Sequence, residues 1–260
     1  MKRVKERIFP YHFAPDEKLF HIVVQIKDLP GALGSVLSLL SDRLDLVGIT
    51  SYGLDDSTAI CSAFARAMSR ATTADHIHKS LKSSPMVVES FVEEGRDGLL
   101  VDGFHTGMET KPGQEFMLMP RRTQSAMMRR IVKEFGSGGK AILYEEGVAA
   151  GEANAEFLVE LLGEEGVSRT GPALLRRRAV YGWGEMEPVS MVIGESATLR
   201  VIDCFECSEW HRELDGCHFW RGFIVGRFSS LWGTKVTAEE VKCVGRGDDF
   251  CDFSLKKVQG

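Results

Sequence analysis

Residues 217–251, CHFWRGFIVGRFSSLWGTKVTAEEVKCVGRGDDFC, read as a helix followed by a hairpin, and three of the chain's six cysteines lie in this stretch. From Cys217 to Leu231 the apolar Phe219, Trp220, Phe223, Phe228 and Leu231 predict a buried helix, with Gly222 and Gly226 four apart to allow close packing. After Gly233, TKVTAEEVKC predicts a strand that enters the Gly- and Asp-rich turn VGRGDD and returns as CDFSLKK, bringing Cys243 and Cys251 near one another. Glu240 precedes Cys243 by three residues, so a straight strand sets them on opposite faces. They reach one ion only if the chain bends or bulges between them. Cys217, at the helix start, is expected to carry a stabilised thiolate. Three thiolates and a carboxylate suit tetrahedral zinc, and a shell filled by Cys217, Glu240, Cys243 and Cys251 leaves no place for substrate. The site reads as structural, locking the hairpin to the helix.

Upstream, SATLRVIDCFEC (196–207) reads as a strand, because Ala197, Leu199 and Val201 alternate with Thr198 and Arg200. It ends in Cys204 and Cys207, a Cys-x-x-Cys outside the set above. These two could hold a second metal, join an iron–sulfur cluster or act in thiol exchange; the simpler reading is one packed cysteine and one incidental one. His211 and His218 are alternative ligands ranked below Glu240. Tyr181, Trp183, Trp210, Phe219 and Phe223 belong to an aromatic-rich stretch that could line a pocket for a planar or hydrophobic ligand, although core packing suits any one of them. Further upstream, the pattern predicts a helix over 123–135, a strand at KAILYEEG (140–147), a helix over 147–162 and a strand at VYGWG (180–184). Arg176, Arg177 and Arg178 read as a solvated face, and Gly136-Ser137-Gly138-Gly139-Lys140 lacks the spacing of a phosphate-binding loop.

Residues 19–94 follow the order βαββαβ: LFHIVVQI, a helix through Leu33, Val36, Leu37, Leu40 and Leu44, LVGITSYGL, TAICSAFARA, a helix capped by Thr72 or Thr73, and MVVESFV. The turn Asp28-Leu29-Pro30-Gly31-Ala32-Leu33 resembles the D-x-P-G-x-L signature of ACT domains, ferredoxin-like regulatory modules. The resemblance implies an amino-acid site around Asp28, Pro30, Gly31 and Leu33, or side-by-side pairing into a homodimer. Pro30 suits a first helical turn, Gly31 a close backbone approach, and the free amides of a helix start an anionic group.

The spacing of Cys217, Glu240, Cys243 and Cys251 resembles the 4-vinyl reductase domain family over about residues 111–257, including glycines at 136, 147 and 151. That family includes the sensor domains of phenol-responsive transcription activators, with a zinc site of three cysteines and one glutamate in this order. The chain has neither the ATPase module nor the helix-turn-helix of those activators. The resemblance therefore implies a regulatory protein that binds a hydrophobic or aromatic compound and signals to a separate protein effector. Tetrapyrrole vinyl-group reduction, or an accessory role in it, is the enzymatic alternative, opposed by the absence of a dinucleotide fingerprint. An iron–sulfur redox sensor and a structural adaptor complete the readings.

These readings sit within a composition of 43% apolar and 27% charged residues, typical of a globular protein. The net charge is −5, from 32 basic and 37 acidic residues, and neither half is strongly basic, so nucleic acid is not an expected partner. No apolar run suits a membrane span and the N-terminus lacks an export signal, so the cysteines are expected reduced in a cytoplasmic protein. The expected architecture is α+β: an ACT-like module over 1–95, a linker over 96–122, and a mixed α/β ligand-binding domain with a zinc-bound hairpin over 123–260.

Overall fold

A computed structural model describes residues 8, 10–110, 113–175, 181–208 and 216–258. The chain divides into two compact units, Met1–Met117 and Leu118–Gly260. In the first, β1 (Tyr11–Phe13) precedes β2 (Leu19–Lys27), α1 (Ala32–Ser41), β3 (Leu44–Gly53), β4 (Thr58–Ala67), α2 (Ala74–Lys82) and β5 (Val87–Glu94). The four long strands form an antiparallel sheet in the order β3-β4-β2-β5, which is the expected βαββαβ arrangement.

Alternation along β2 explains how this sheet is buried on both faces. Phe20, Ile22, Val24 and Ile26 pack with Val36 and Leu40 of α1 and Ile77 and Leu81 of α2. On the opposite face, Leu19 and Phe64 meet Leu100, which belongs to β6 (Leu99–Val101), a strand paired with β1. His21, also on that face, is fully buried. A short hairpin of β7 (Met108–Glu109) and β8 (Glu115–Phe116) ends the unit.

The second unit opens with α3 (Arg121–Phe135) and α4 (Ser137–Leu175), the latter broken at Gly163, whose φ is 68°. The strand expected at KAILYEEG is therefore a correction: residues 140–147 lie inside α4. The run is short and apolar enough to suit either structure, but its Leu143 is buried while Ile142 and Tyr144 are not, as on one face of a helix. The segment 147–162 is helical as expected.

Next come β9 (Glu185–Val192), β10 (Ser196–Ile202), the single turn α5 (Phe205–Ser208), α6 (His218–Trp232), β11 (Val236–Lys242) and β12 (Cys251–Lys257). Their antiparallel sheet has the order β11-β12-β10-β9. Sequence reading misses β9, whose Pro188 is tolerated because the strand pairs on one side alone. The strand expected at VYGWG is not found: residues 181–184 form a turn before β9, and residue 180 is outside the described set. The strand expected through 207 ends at Ile202, after which Asp203 takes a positive φ of 54° and the Cys-x-x-Cys enters α5. Arg121 holds that turn, donating from Nη1 to the Asp203 carboxylate at 2.9 Å and from Nη2 to its carbonyl at 3.1 Å.

Helix α6 lies against α4 at backbone contact distance. A methyl group added at Gly222 would stand 1.9 Å from the Tyr144 carbonyl oxygen, and one at Gly147 2.1 Å from that of Phe219. Gly226 and Gly151 repeat the arrangement one turn on, at 2.1 and 2.3 Å. Close approach, rather than conformational freedom, requires these four glycines.

Candidate metal centre

The tight α4–α6 packing and the β11–β12 hairpin place the two ends of the 217–251 segment together. Cys217 is the N-terminal cap of α6. The ladder between β11 and β12 shifts register between Glu240, opposite Phe253, and Lys242, opposite Asp252. That bulge leaves Val241 exposed and resolves the spacing problem, since Glu240 and Cys243 now reach the same side. The turn after Cys243 is fixed by its own hydrogen bonds: the Cys243 amide donates to Asp248 Oδ2 at 2.8 Å, and the Arg246 and Asp248 amides return to the Cys243 carbonyl. The Val244 amide donates to Cys251 Sγ at 3.4 Å.

Donor atoms of Cys217, Glu240, Cys243 and Cys251 all lie within 4.8 Å of one another. Cys217 Sγ is 3.8 Å from Cys243 Sγ and 3.7 Å from Cys251 Sγ. With zinc–sulfur bonds of about 2.3 Å, the edge of a tetrahedron is about 3.8 Å. Glu240 supplies a further mark of fit. Its Oε2 accepts from the Cys217 amide at 2.8 Å, whereas its Oε1 is buried with no hydrogen-bond partner among the described residues. A buried carboxylate oxygen of this kind is costly unless a cation or donor meets it. Gly216 makes the room, since a side chain there would collide with Glu240 Oε2.

Cys204 and Cys207 converge on the same place. Cys204 Sγ is 3.7 Å from Cys217 Sγ, and Cys207 Sγ is 2.9 Å from Cys217 Sγ and 3.3 Å from Cys251 Sγ. Both are fully buried. The buried Glu206 between them accepts the amides of Phe219 and Trp220 at 2.9 Å each, docking α5 onto the start of α6. Burial pushes the Glu206 carboxyl up to about 8, against the pull of those amides. This tether has no local sequence signal, which is why the Cys-x-x-Cys reads as incidental in the sequence.

The expected stabilised thiolate at Cys217 is not found. Burial, then its contacts with the neighbouring cysteines, hold the thiol well above its ordinary range, outweighing the helix terminus. Burial raises Cys204 and Glu240 as well. Cys251 moves down, because Cys204, Cys207, Cys217 and Cys243 act as donors to it. A bound divalent cation would supply the positive charge that makes these thiols thiolates.

Of the aromatic candidates, Trp183 meets Phe219 and Phe223 edge-on, with ring centroids 5.4 and 5.5 Å apart. Phe223 is fully buried and Phe219 nearly so, whereas Tyr181 and Trp183 are half-buried. Trp210 lies outside the described residues, as do His211 and Arg176–Arg178. In the first unit, Asp28, Pro30 and Gly31 are exposed and Leu33 is half-buried. Gly31 caps α1 with a φ of 86°, and a side chain at that position would meet no atom within 4 Å, so the backbone turn itself requires glycine there. A cavity of about 350 Å³ in this unit is lined by Asp42, Arg43, Thr72 and His76 among others, and by none of the four turn residues.

The sequence reading also passes over His21, a polar residue inside an apolar strand. Its Nε2 lies 3.0 Å from Ser62 Oγ, and its Nδ1 faces Asp102 Oδ1 at 3.7 Å. Asp102 Oδ2 in turn meets His105 Nδ1 at 2.7 Å.

The chain is 29% identical over 122 residues to an uncharacterized protein of Methanocaldococcus jannaschii, covering 46% of this chain and 66% of that one. It is 34% identical over 61 residues to a second uncharacterized protein of the same organism, covering 24% and 34%. The chain thus spans from about a third to two thirds of these relatives. Among solved structures, the phenol-responsive sensory domain of the transcription activator PoxR, with phenol, is similar at 22% identity and a TM-score of 0.47, over 55% of this chain and 77% of that one. Residues 197–257, which contain all five clustered cysteines and Glu240, match the V4R domain.

Proposed function

We propose that the protein is a cytoplasmic small-molecule sensor or regulatory protein. Its second unit binds a hydrophobic or aromatic compound, and zinc held by Cys217, Glu240, Cys243 and Cys251 locks the hairpin to α6. The reading is supported above all by the buried Glu240 Oε1, which lacks a hydrogen-bond partner among the described residues and stands among cysteine thiols spaced like the edge of a zinc tetrahedron. The V4R match over 197–257 supports the sensor role, and α6 joins the two parts of the reading, with Cys217 as its cap and Phe219 and Phe223 along it. The βαββαβ unit acts as an ACT-like module that takes an amino acid or pairs two chains into a homodimer, and a separate protein effector receives the output. Neither nucleic acid nor membrane is a partner. No helix of the described residues is long and apolar enough to cross a membrane.

A ligand that binds the folded state alone stabilises it by about 2.7 kcal/mol at one hundred times its Kd. A thermal-shift screen of the full chain against phenols, fused aromatics, fatty acids and the twenty amino acids is expected to show such a rise for an aromatic or hydrophobic compound. No rise with any of them would sink the sensor reading. The convergence of Cys204 and Cys207 on Cys217 favours one second reading, an iron–sulfur redox sensor, which iron with acid-labile sulfide in the purified chain would establish.

A further inference from the structure

We infer that Cys204 and Cys207 complete a binuclear, thiolate-bridged centre for two divalent ions of the zinc class, with Cys217 and Cys251 as the bridging ligands. The inference rests on the metal reading of the Cys217, Glu240, Cys243, Cys251 set and extends it. Two groups of four donors each fall within 4.8 Å: Cys204, Cys207, Cys217, Cys251, and Cys217, Glu240, Cys243, Cys251. They share two members and no others. Six donors in two sets of four, with two in common, are what two tetrahedra sharing an edge require.

Three of the five sulfur–sulfur distances agree with that arrangement. The shared edge, Cys217 Sγ to Cys251 Sγ, is 3.7 Å. From Cys217, the outer donor of one set, Cys204, is 3.7 Å away, and that of the other, Cys243, is 3.8 Å away. Each is close to the edge of about 3.8 Å set by zinc–sulfur bonds. Cys207 stands nearer, 2.9 Å from one bridge and 3.3 Å from the other. A single ion on the Glu240 side leaves Cys204 and Cys207 as thiols packed against two metal-bound sulfurs. A second ion gives both a ligand role.

The scaffold is built for this role on both sides. Glu240 Oε1 is buried at one half of the cluster with no hydrogen-bond partner among the described residues, and the Val244 amide donates to the bridging Cys251. On the other half, Glu206 fixes α5 against the first amides of α6, so the Cys-x-x-Cys is held beside Cys217. Two residues between cysteines is an ordinary spacing for zinc ligands on a tight turn. Charge is largely offset: five thiolates and a carboxylate carry −6 and two dications +4, and the remaining −2 faces amide donors and Arg246, whose Nη1 is 3.8 Å from Glu240 Oε2.

The test is elemental analysis of the full chain after saturation with zinc and removal of loosely bound ion, beside a Cys204→Ala/Cys207→Ala variant and a Glu240→Ala/Cys243→Ser variant. The expected result is about two zinc ions per chain in the parent and about one in the Cys204/Cys207 variant. As a check free of mutation, the chain loaded with cadmium-113 is expected to give two resonances coupled to one another through the bridging sulfurs. One zinc in both the parent and the Cys204/Cys207 variant, lost in the Glu240/Cys243 variant, overturns the binuclear centre and leaves the single site standing. No zinc in any form overturns both. Iron with acid-labile sulfide, or a Cys207–Cys217 disulfide, likewise overturns the assignment.

Discussion

Each of the two units buries polar chemistry in its interior, and the two do so in opposite ways. In the first, His21 is the buried polar centre of a sheet covered on both faces, with Ser62 on one side of its ring and the Asp102–His105 pair on the other. In the second, five cysteines, Glu206 and Glu240 meet at one corner where the strands of the sheet, α5 and α6 converge. The first core closes on itself through alternation. The second gathers donors that burial disfavours as charges, and the cation proposed for it would meet them as thiolates and carboxylate.

The largest break between the units is expected on removing that cation. Chelation, or Cys251→Ser, should cost the second unit more than about 4 kcal/mol, as loss of a structural metal does. Hydrogen exchange resolved by segment would then show protection lost in α6, β11 and β12 and kept in β2 and β4. Equal loss in both units would erase the contrast.

Next comes Gly222→Ala, whose methyl would press on the Tyr144 carbonyl oxygen within α4. A backbone atom cannot turn away as a side chain can, so a loss of about 3 kcal/mol is expected in denaturant unfolding of the second unit. A cost below about 1 kcal/mol would mean that α4 and α6 separate easily.

Ser62→Ala sharpens the other side of the comparison. It strips the partner from His21 Nε2 and is expected to cost about 2 kcal/mol in the first unit. The same histidine sets a pH dependence. Burial lowers its pKa below the ordinary 6.5, with Asp102 opposing, so the unfolded chain takes up the proton first. Its contribution to stability is therefore full above about pH 6.5 and declines as the pH falls through its folded-state value. Melting of the parent between about pH 7 and pH 5 should show the decline, and a His21→Gln variant should flatten it. A first unit that melts alike across that range would remove His21 from the account.

The smallest effect is expected at Gly31→Ala. The left-handed φ of 86° costs an alanine about 1 kcal/mol, and open space at that position adds nothing. Thermal melting of the first unit measures it, and a cost several times larger would indicate that another molecule packs against the turn.

Much of this is legible in the chain. The β-branched and aromatic density of LFHIVVQI, the helical spacing after Gly31 and the Thr72 or Thr73 cap give the βαββαβ order, and the segment 217–251 gives the helix, the hairpin and four donors. KAILYEEG misleads because a short apolar run satisfies both periods, and β9 is hidden because Pro188 argues against a strand until its edge position is known. The Cys-x-x-Cys cannot be weighed from the sequence, since Glu206 reaches α6 across more than ten residues of chain.

By itself, then, the sequence determined which residues can be ligands and which elements carry them, because residue chemistry and hydrophobic period are local properties. Only the tertiary structure decided that five cysteines rather than three meet, that a bulge at Val241 turns Glu240 to the side of Cys243, and that His21 lies buried beside Asp102. Those outcomes depend on register, helix contact and burial, which arise when distant segments pack together.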